Sequence, residues 1–345
     1  MDVASELVPV EQAQIVVPEL LGERDHQLSG ETIADLQRAT AANTERAYDR
    51  WWRLAVDWCE TEQRTVLPMT AQTLAEFIGH LMRTPSPRTG RPYSPSSLNQ
   101  AIAAIRTAHY RAGHEGQPHT RAALELVKVH RQDRADDGWR TRRAKPVTLD
   151  VLRLMLASCD RDSVSGRRDA ATLVLGYGLM GRRSELAAVR VEHLTFGDDW
   201  LTVWVPRSKT DQSAQGEEVE IPRELAPDID AVAIVRGYLE ALAGHGVTSG
   251  PLLRRIDRWG NLGDGLSGAA VNDIVKQLAQ AARLSDAERT TAHGLRAGGP
   301  TDAAERGVPI PFIAEHGRWS KSSTQVLTYV RQHDRRRNNP LLRKE

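Results

Sequence analysis

The chain has 345 residues, 40% of them hydrophobic, enough for two cores and long for one, so two domains are expected. Two cysteines, Cys59 and Cys159, exclude a disulfide framework or a thiolate metal site, and the longest apolar run, "AATLVLGYGLMG", is too short to span a bilayer, so a soluble protein of a reducing, intracellular compartment is expected. The net charge of +1 hides a division: residues 1–40 carry a net of −6 and the remainder +7, which keeps a polyanionic partner open.

In chain order, residues 1–40 mix Val-Pro, Glu and Gln without sustained periodicity and read as an acidic, disordered leader holding one short helix at most. They lack the basic-then-apolar order of a signal peptide. From "NTERAYDRWWRLAVDWCE" a helical stripe sets in, with Tyr48, Trp51, Trp52, Ala55, Trp58 and Cys59 recurring at three and four residues. Leu74, Phe77, Ile78 and Leu81 form a second stripe, and Leu98, Ile102 and Ile105 a third after the start signal Ser94-Pro95. A fourth helix, "TRAALELVKVHRQ", completes a bundle over residues 41–132. Its tryptophans fit either buried packing or stacking on bases.

Residues 133–147 lie in a polar stretch, "RQDRADDGWRTRRAKPV", and read as a basic interdomain linker. Arg140, Arg142, Arg143 and Lys145 are its candidate DNA contacts; the bland reading is a solvated charge run. Forty of the chain's basic residues are arginine and six are lysine, a bias that a GC-rich genome explains first and that also suits bidentate phosphate binding.

A second domain is expected over residues 148–345. Helices are predicted in "TLDVLRLMLASCD" and "RRDAATLVLGYGLM", then a β-hairpin in "WLTVWVPRSKTDQSAQGEEVEIP", where apolar and polar residues alternate on both sides of a polar turn that carries Lys209. Further helices are expected near 229–243, 267–283, 292–306, 309–316 and 323–333. The fold class is mainly α with one small antiparallel sheet. The sequence contains no internal repeat, no P-loop and no G-x-G-x-x-G, so nucleotide-driven chemistry is not indicated.

Near the end, "TAHGLRAGGPTDAAERGVPIPFIAEHGRWSKSSTQVLTYVR" places His293 and Arg296 at i, i+3 on one helix face. Ser322 and Gln325 have capping-box form, which starts a new helix after Trp319 and puts Tyr329 in its second turn. A tyrosine is about 0.1% ionised at neutral pH, so as a nucleophile it needs neighbouring cations or a base. Gly298, Gly299 and Pro300 follow the His/Arg pair, and Pro300 is expected to kink or restart that helix.

These residues resemble the tyrosine recombinases, or phage-type integrases, and in organisation their Cre-like members. That family's ordered set runs Arg, Lys, His-x-x-Arg, His/Trp, Tyr. Here "GRRSELAAVRV" gives Arg182 and Glu185, "RSKTD" gives Lys209, "HGLR" gives His293 and Arg296, "GRW" gives Trp319, and "LTYVR" gives Tyr329. The resemblance covers about residues 40–335. It implies an N-terminal helical-bundle clamp on DNA and a mostly helical catalytic domain. It also implies attack by Tyr329 on a phosphodiester to give a 3′-phosphotyrosyl bond. Arg182 and Arg296 would hold the phosphate, His293 act as acid/base, Lys209 protonate the leaving 5′-oxygen, Trp319 donate its indole N–H, and Glu185 position the others.

No cofactor, metal or ATP is implied. The partners would be double-stranded DNA with short inverted core sites and a homotetramer passing through a Holliday junction, with no membrane. A cytoplasmic, nucleoid-associated protein of bacterial, phage or plasmid origin is expected. The ten residues from Trp319 to Tyr329 are one more than is usual in the family, and His316, thirteen residues from Tyr329, fits the His/Trp position less well. The acidic leader is too short, and of the wrong sign, for a separate arm-site domain. Leu341 and Leu342 in the tail either dock in a neighbouring subunit or belong to a disordered end. A type IB topoisomerase-like enzyme and a catalytically silent integrase-fold DNA-binding protein are the competing readings.

Overall fold

The structure, a computed structural model, describes residues 29–32, 35, 42–87, 89–140, 143–206, 215–320 and 323–334, the side chains of 42 and 330–334 excepted. The expected leader lies almost wholly outside the described residues, as do Arg142, Lys209, Ser322 and the tail with Leu341 and Leu342. The chain divides into two compact units, 1–140 and 141–345.

In the first unit, α1 (Ala42–Thr61) packs on α3 (Pro95–Arg111), and α2 (Ala71–Arg83) on α4 (Arg121–Asp136). Side-chain oxygens start two of them: Thr70 Oγ1 accepts the Thr73 N–H at 3.1 Å and Ser94 Oγ the Ser97 N–H at 3.2 Å, with Pro95 following as the first helical residue. The stripes meet in one core of Trp51, Phe77, Ile78, Leu98 and Ile105, all fully buried. Full burial is worth about 2 kcal/mol for a side chain of this size, so the 3.6-residue register of each helix is strongly held. Trp51 serves packing: it meets Tyr93 edge-on at 5.2 Å between centroids, and its indole N–H donates to Gln100 Oε1 at 3.1 Å. Helix α4 runs four residues into the segment read as linker. Arg134 accounts for part of this, because its guanidinium lies 4.3 Å from the Trp139 ring and donates to the Pro92 carbonyl at 3.3 Å. No apolar period marks that last turn, so the sequence reading ended it early.

His109, on α3, is completely buried. Its Nε2 accepts the Met69 N–H at 2.7 Å and its Nδ1–H donates to the Ile105 carbonyl at 2.8 Å, an arrangement that only the neutral ring satisfies.

The second unit begins with α5 (Leu149–Ala157) and α6 (Val164–Gly178), then the one-turn α7 (Arg183–Ala187). A three-stranded antiparallel sheet follows in the order β1 (Leu194–Phe196), β2 (Trp200–Val205), β3 (Glu217–Pro222). β2 and β3 are the expected hairpin, pairing Leu201 with Ile221 and Val203 with Val219 on the inner face. Two more antiparallel pairs were not foreseen, β4 (Glu224–Ala226) with β5 (Ile229–Asp230) and β6 (Arg254–Ile256) with β7 (Leu262–Gly265). Strands of two to four residues are too short to show alternation. α8 (Ala231–Gly244) and α9 (Gly268–Ala281) complete the main core with α5 and α6, while α10 (Ala292–Glu305), α11 (Ile310–His316) and α12 (Gln325–Asp334) form a smaller cluster around Trp319 and Tyr329.

Of the kink or restart expected at Pro300, the restart does not occur: α10 runs through Pro300 as a single helix. Proline there removes one bond, to the Arg296 carbonyl, and the Thr301 hydroxyl secures the next carbonyl, of Ala297, at 2.7 Å. The glycines of this helix answer to packing. Residues 143–147 lie along it, with the Lys145 N–H bonded to the Arg289 carbonyl at 3.1 Å and the Val147 N–H to the Gly294 carbonyl at 2.9 Å. A Cβ on Gly294 would stand 2.4 Å from the Lys145 oxygen, and one on Gly298 only 1.8 Å from the Val147 oxygen. Gly294 and Gly298, four residues apart, thus present bare backbone to the strap.

Three outcomes are expected from this packing. Burial above all, with the nearby His114, holds the His109 pKa below its ordinary value. The unfolded chain therefore binds the extra proton first, and stability is lost as pH falls below about 6.5, by at most about 1.4 kcal/mol per pH unit. Urea unfolding followed by tryptophan fluorescence should show this loss between pH 7.5 and 5.5, and His109→Gln should flatten it. Gly298→Ala should destabilise the protein by about 3 kcal/mol through the clash with Val147. Gly237→Ala, in mid-α8 with open space around it, should stabilise by about 0.5–1 kcal/mol, both read as shifts in melting temperature.

Candidate active site

The loop after α6 leads to Arg182, the residue that caps α7. Glu185 sits three residues on and turns back: its Oε2 accepts the Arg182 N–H at 3.0 Å and its Oε1 accepts Arg182 Nη1 at 2.7 Å. The Arg-x-x-Glu spacing is therefore a helix start closed by a carboxylate. Glu185 is buried, and a second arginine, Arg318, reaches Oε2 at 3.0 Å. Burial pushes the Glu185 pKa up, but the Arg182 N–H and the two guanidinium groups outweigh it, so the carboxyl titrates below its ordinary value.

Arg296 points from α10 into the gap between two loops. Its Nη1 donates to the Met180 carbonyl and its Nη2 to the Gly317 carbonyl at 3.3 Å, while the guanidinium carbon lies 4.4 Å from the Trp319 ring. It is 3% exposed, and burial with the nearby Arg182 lowers its pKa to about 10, which leaves it charged at neutral pH. Trp319 lies flat enough on Gly317 that a Cβ there would come within 1.7 Å of its ring. Its indole Nε1 is buried and has no hydrogen-bond partner among the described residues.

Tyr329, in the second turn of α12, meets Trp319 at 5.7 Å between ring centroids, and its hydroxyl lies 3.2 Å from His293 Nε2. The Gln325 N–H at the start of α12 is bonded to Ser323 Oγ at 3.2 Å. Burial raises the Tyr329 pKa and exceeds the opposing pull of Arg296, Arg182 and Arg143. In the free protein desolvation outweighs these cations, and the phenol titrates above its ordinary value. His293 is lowered by desolvation first, then by Arg296 and Arg182, so it is a neutral base at neutral pH. A cleft of about 360 Å³ opens in front of the pair, lined also by Arg143, Gln325 and Thr328.

The sequence-derived candidates therefore sort as follows. His293, Arg296, Trp319 and Tyr329 converge, and Arg182 with Glu185 adjoins them. Of the strap residues, Arg143 lines the cleft, whereas Lys145 is paired with Asp286 at 2.8 Å. Arg140 is exposed in the first unit. His316 is tied to the Gly178 carbonyl at 2.7 Å. The sequence reading missed Arg318, because a residue in a short loop with a left-handed backbone, φ +55°, carries no periodic signal. Among the described residues no helix is long and apolar enough to cross a membrane, and no group of three or more His, Cys, Asp or Glu is placed to hold a metal ion.

Residues 146–336 match the phage integrase family. The chain is 30% identical over 328 residues to an integrase/recombinase, a xerD homolog, of Selenomonas ruminantium, an alignment spanning 93% of this chain and 91% of that protein. It is 23% identical over 291 residues to the recombinase cre of Escherichia phage P1, with 80% of each covered. A lambda integrase dimer bound to a COC′ core site has the same fold, with a TM-score of 0.55 at 17% identity over 87% of this chain and 92% of that one. The chain belongs to the phage integrase family.

Proposed function

We propose that the protein is a site-specific DNA recombinase that cuts and rejoins DNA through Tyr329. The observation that carries this reading is the Tyr329 hydroxyl 3.2 Å from His293 Nε2, within hydrogen-bond reach of a base and at the edge of an open cleft. The structural relative bound to a core site favours DNA as the substrate. Tyr329 Oη attacks phosphorus, its proton passes to His293 Nε2, and the bond from phosphorus to the 5′-oxygen breaks. The strand is left with a 3′-phosphotyrosyl linkage and a free 5′-hydroxyl, to which Lys209 supplies the proton. Arg182 and Arg296 stabilise the charge on the non-bridging oxygens, a role in which one donor is typically worth about 3–4 kcal/mol.

Trp319 Nε1 is a further donor, buried at the nucleophile's side with no partner among the described residues. Glu185 orients Arg182, and Arg143 meets the DNA backbone at the cleft mouth, with Arg140, Arg142 and Lys145 along the same basic stretch. The phosphotyrosine conserves the energy of the broken bond, so the reverse attack needs neither ATP nor metal. Recombination by this route uses short inverted sites, a homotetramer and a Holliday junction. The convergence of His293, Arg296, Trp319 and Tyr329, with Arg182 and Glu185 adjoining, favours an enzyme over a silent DNA-binding protein.

Incubation of the protein with fragmented bacterial and plasmid DNA in EDTA, stopped with SDS, should yield covalent adducts at one palindrome-like site, and none with Tyr329→Phe, which should still bind DNA. Scattered adducts would instead indicate a topoisomerase, and adducts formed by the Phe variant would remove Tyr329 from the reaction. The depressed His293 pKa sets the sign of the pH dependence. The base is present above that pKa and lost as pH falls through it, so single-turnover cleavage should be flat from pH 7 to 8 and decline at pH values below about 6.5. His293→Gln should slow cleavage about 10²- to 10³-fold and abolish that acid limb.

A further inference from the structure

Glu185 raises an electrostatic difficulty for the reading above. Its carboxylate bonds Arg182 Nη1 at 2.7 Å in a setting where the Glu185 side chain is 5% exposed and that of Arg182 24%. A buried carboxylate at that distance neutralises the guanidinium it holds, and a neutral pair attracts a phosphate weakly. Arg182 alone with Glu185 would be well oriented and poorly charged.

Arg318 changes that balance. Its side chain is 2% exposed, and its Nη2 meets the other carboxylate oxygen, Oε2, at 3.0 Å. Two guanidinium groups then share one carboxylate, and these three side chains together carry one positive charge. Of the two arginines, Arg182 is the one that reaches solvent. Gly181 marks how closely the pair is enclosed, since a Cβ there would lie 3.3 Å from both Arg318 Nη2 and Glu185 Oε2. The backbone of Arg318 adopts φ +55°, a conformation that favours glycine, so what the position gains from arginine is the guanidinium.

We infer that Arg318 is a positioning residue that compensates the buried Glu185 carboxylate, and so leaves Arg182 its charge for the DNA phosphate. The inference rests on the recombinase reading and extends it. Arg318 touches no substrate. It acts through Glu185, and because it immediately precedes Trp319 it also ties the loop leading to the nucleophile helix to the start of α7. The phosphorane formed by Tyr329 carries more negative charge than the phosphodiester. Loss of the compensating charge therefore falls on the cleavage step more than on DNA binding.

The test uses a nicked duplex carrying the site recovered by adduct sequencing, with single-turnover adduct formation and DNA affinity measured separately. Arg318→Met should cleave about 10- to 100-fold more slowly while its Kd for the duplex stays within about threefold. Arg318→Lys, which keeps the charge, should retain most of the rate. Arg318→Met combined with Glu185→Gln removes both buried charges and again leaves Arg182 uncancelled, so it should recover to within about tenfold of the unsubstituted protein.

A double variant no faster than Arg318→Met, or a lysine variant as slow as the methionine one, would overturn the inference. Should Arg318→Met fail to fold, the double variant has no unpaired buried charge, and its rate against the unsubstituted protein decides: more than about 100-fold below refutes the charge argument. Absence of any adduct with the unsubstituted protein would overturn the recombinase reading, and this inference with it. Normal cleavage by that protein with the wrong variant pattern would overturn this inference alone.

Discussion

The guanidinium of Arg296 holds together two loops that neither a sheet nor a helix joins. One of its arms bonds the Met180 carbonyl, on the way into α7, and the other bonds the Gly317 carbonyl, on the way into α12, while its face rests on Trp319. The first loop delivers Arg182 and the second delivers Tyr329, so this planar ion helps to fix their separation, together with the Arg318–Glu185 pair and the bond from His316 to the Gly178 carbonyl. Arginine suits this place because its donors diverge in one plane and it stays charged when buried. Lysine, a point charge on a flexible stem, offers no such spacing.

Around that ion the site is built from backbone as much as from side chains. The strap of residues 143–147 lies against α10 because two glycines clear a path for it, and it brings Arg143 to the cleft that His293 and Tyr329 share. Asp302, on the same helix, accepts both the Tyr177 hydroxyl at 2.7 Å and the Leu149 N–H at 2.8 Å, joining α10 to α6 and to the start of α5. The helix that carries His293 and Arg296 is thus anchored on several sides before any substrate arrives. Catalytic groups held in this way need little reorganisation when charge develops.

Much of this was legible in the residues. Apolar stripes at three and four residues located the helices of both units, and alternation located the β2–β3 hairpin, because each pattern runs long enough to repeat. The ordered set from Arg182 to Tyr329 pointed to the candidate site for the same reason that it identified the family: its members are few, of distinct chemistry and fixed in sequence. What escaped is what periodicity does not encode. The strands at 224–226 and 254–256 are shorter than one full alternation, and α4 outran its apolar pattern. Pro300 signalled a kink or a restart, and the helix does not restart there. Arg318 gave no sign of its partner, since a contact across 133 residues of chain leaves no local trace. That the Tyr329 pKa is raised was not legible, because neighbouring cations can be listed from a motif, whereas desolvation depends on the packing of Trp319 and α12 around the ring.

The buried phenol bears on how such a chain behaves when it has nothing to act upon. A tyrosine kept protonated by its own surroundings is a poor nucleophile, and the charged groups beside it stabilise an anion that does not form until an electrophile enters the cleft. The resting dielectric around one ring thus adds to the ordinary reluctance of a phenol to ionise, and it changes with whatever fills the space in front of that ring.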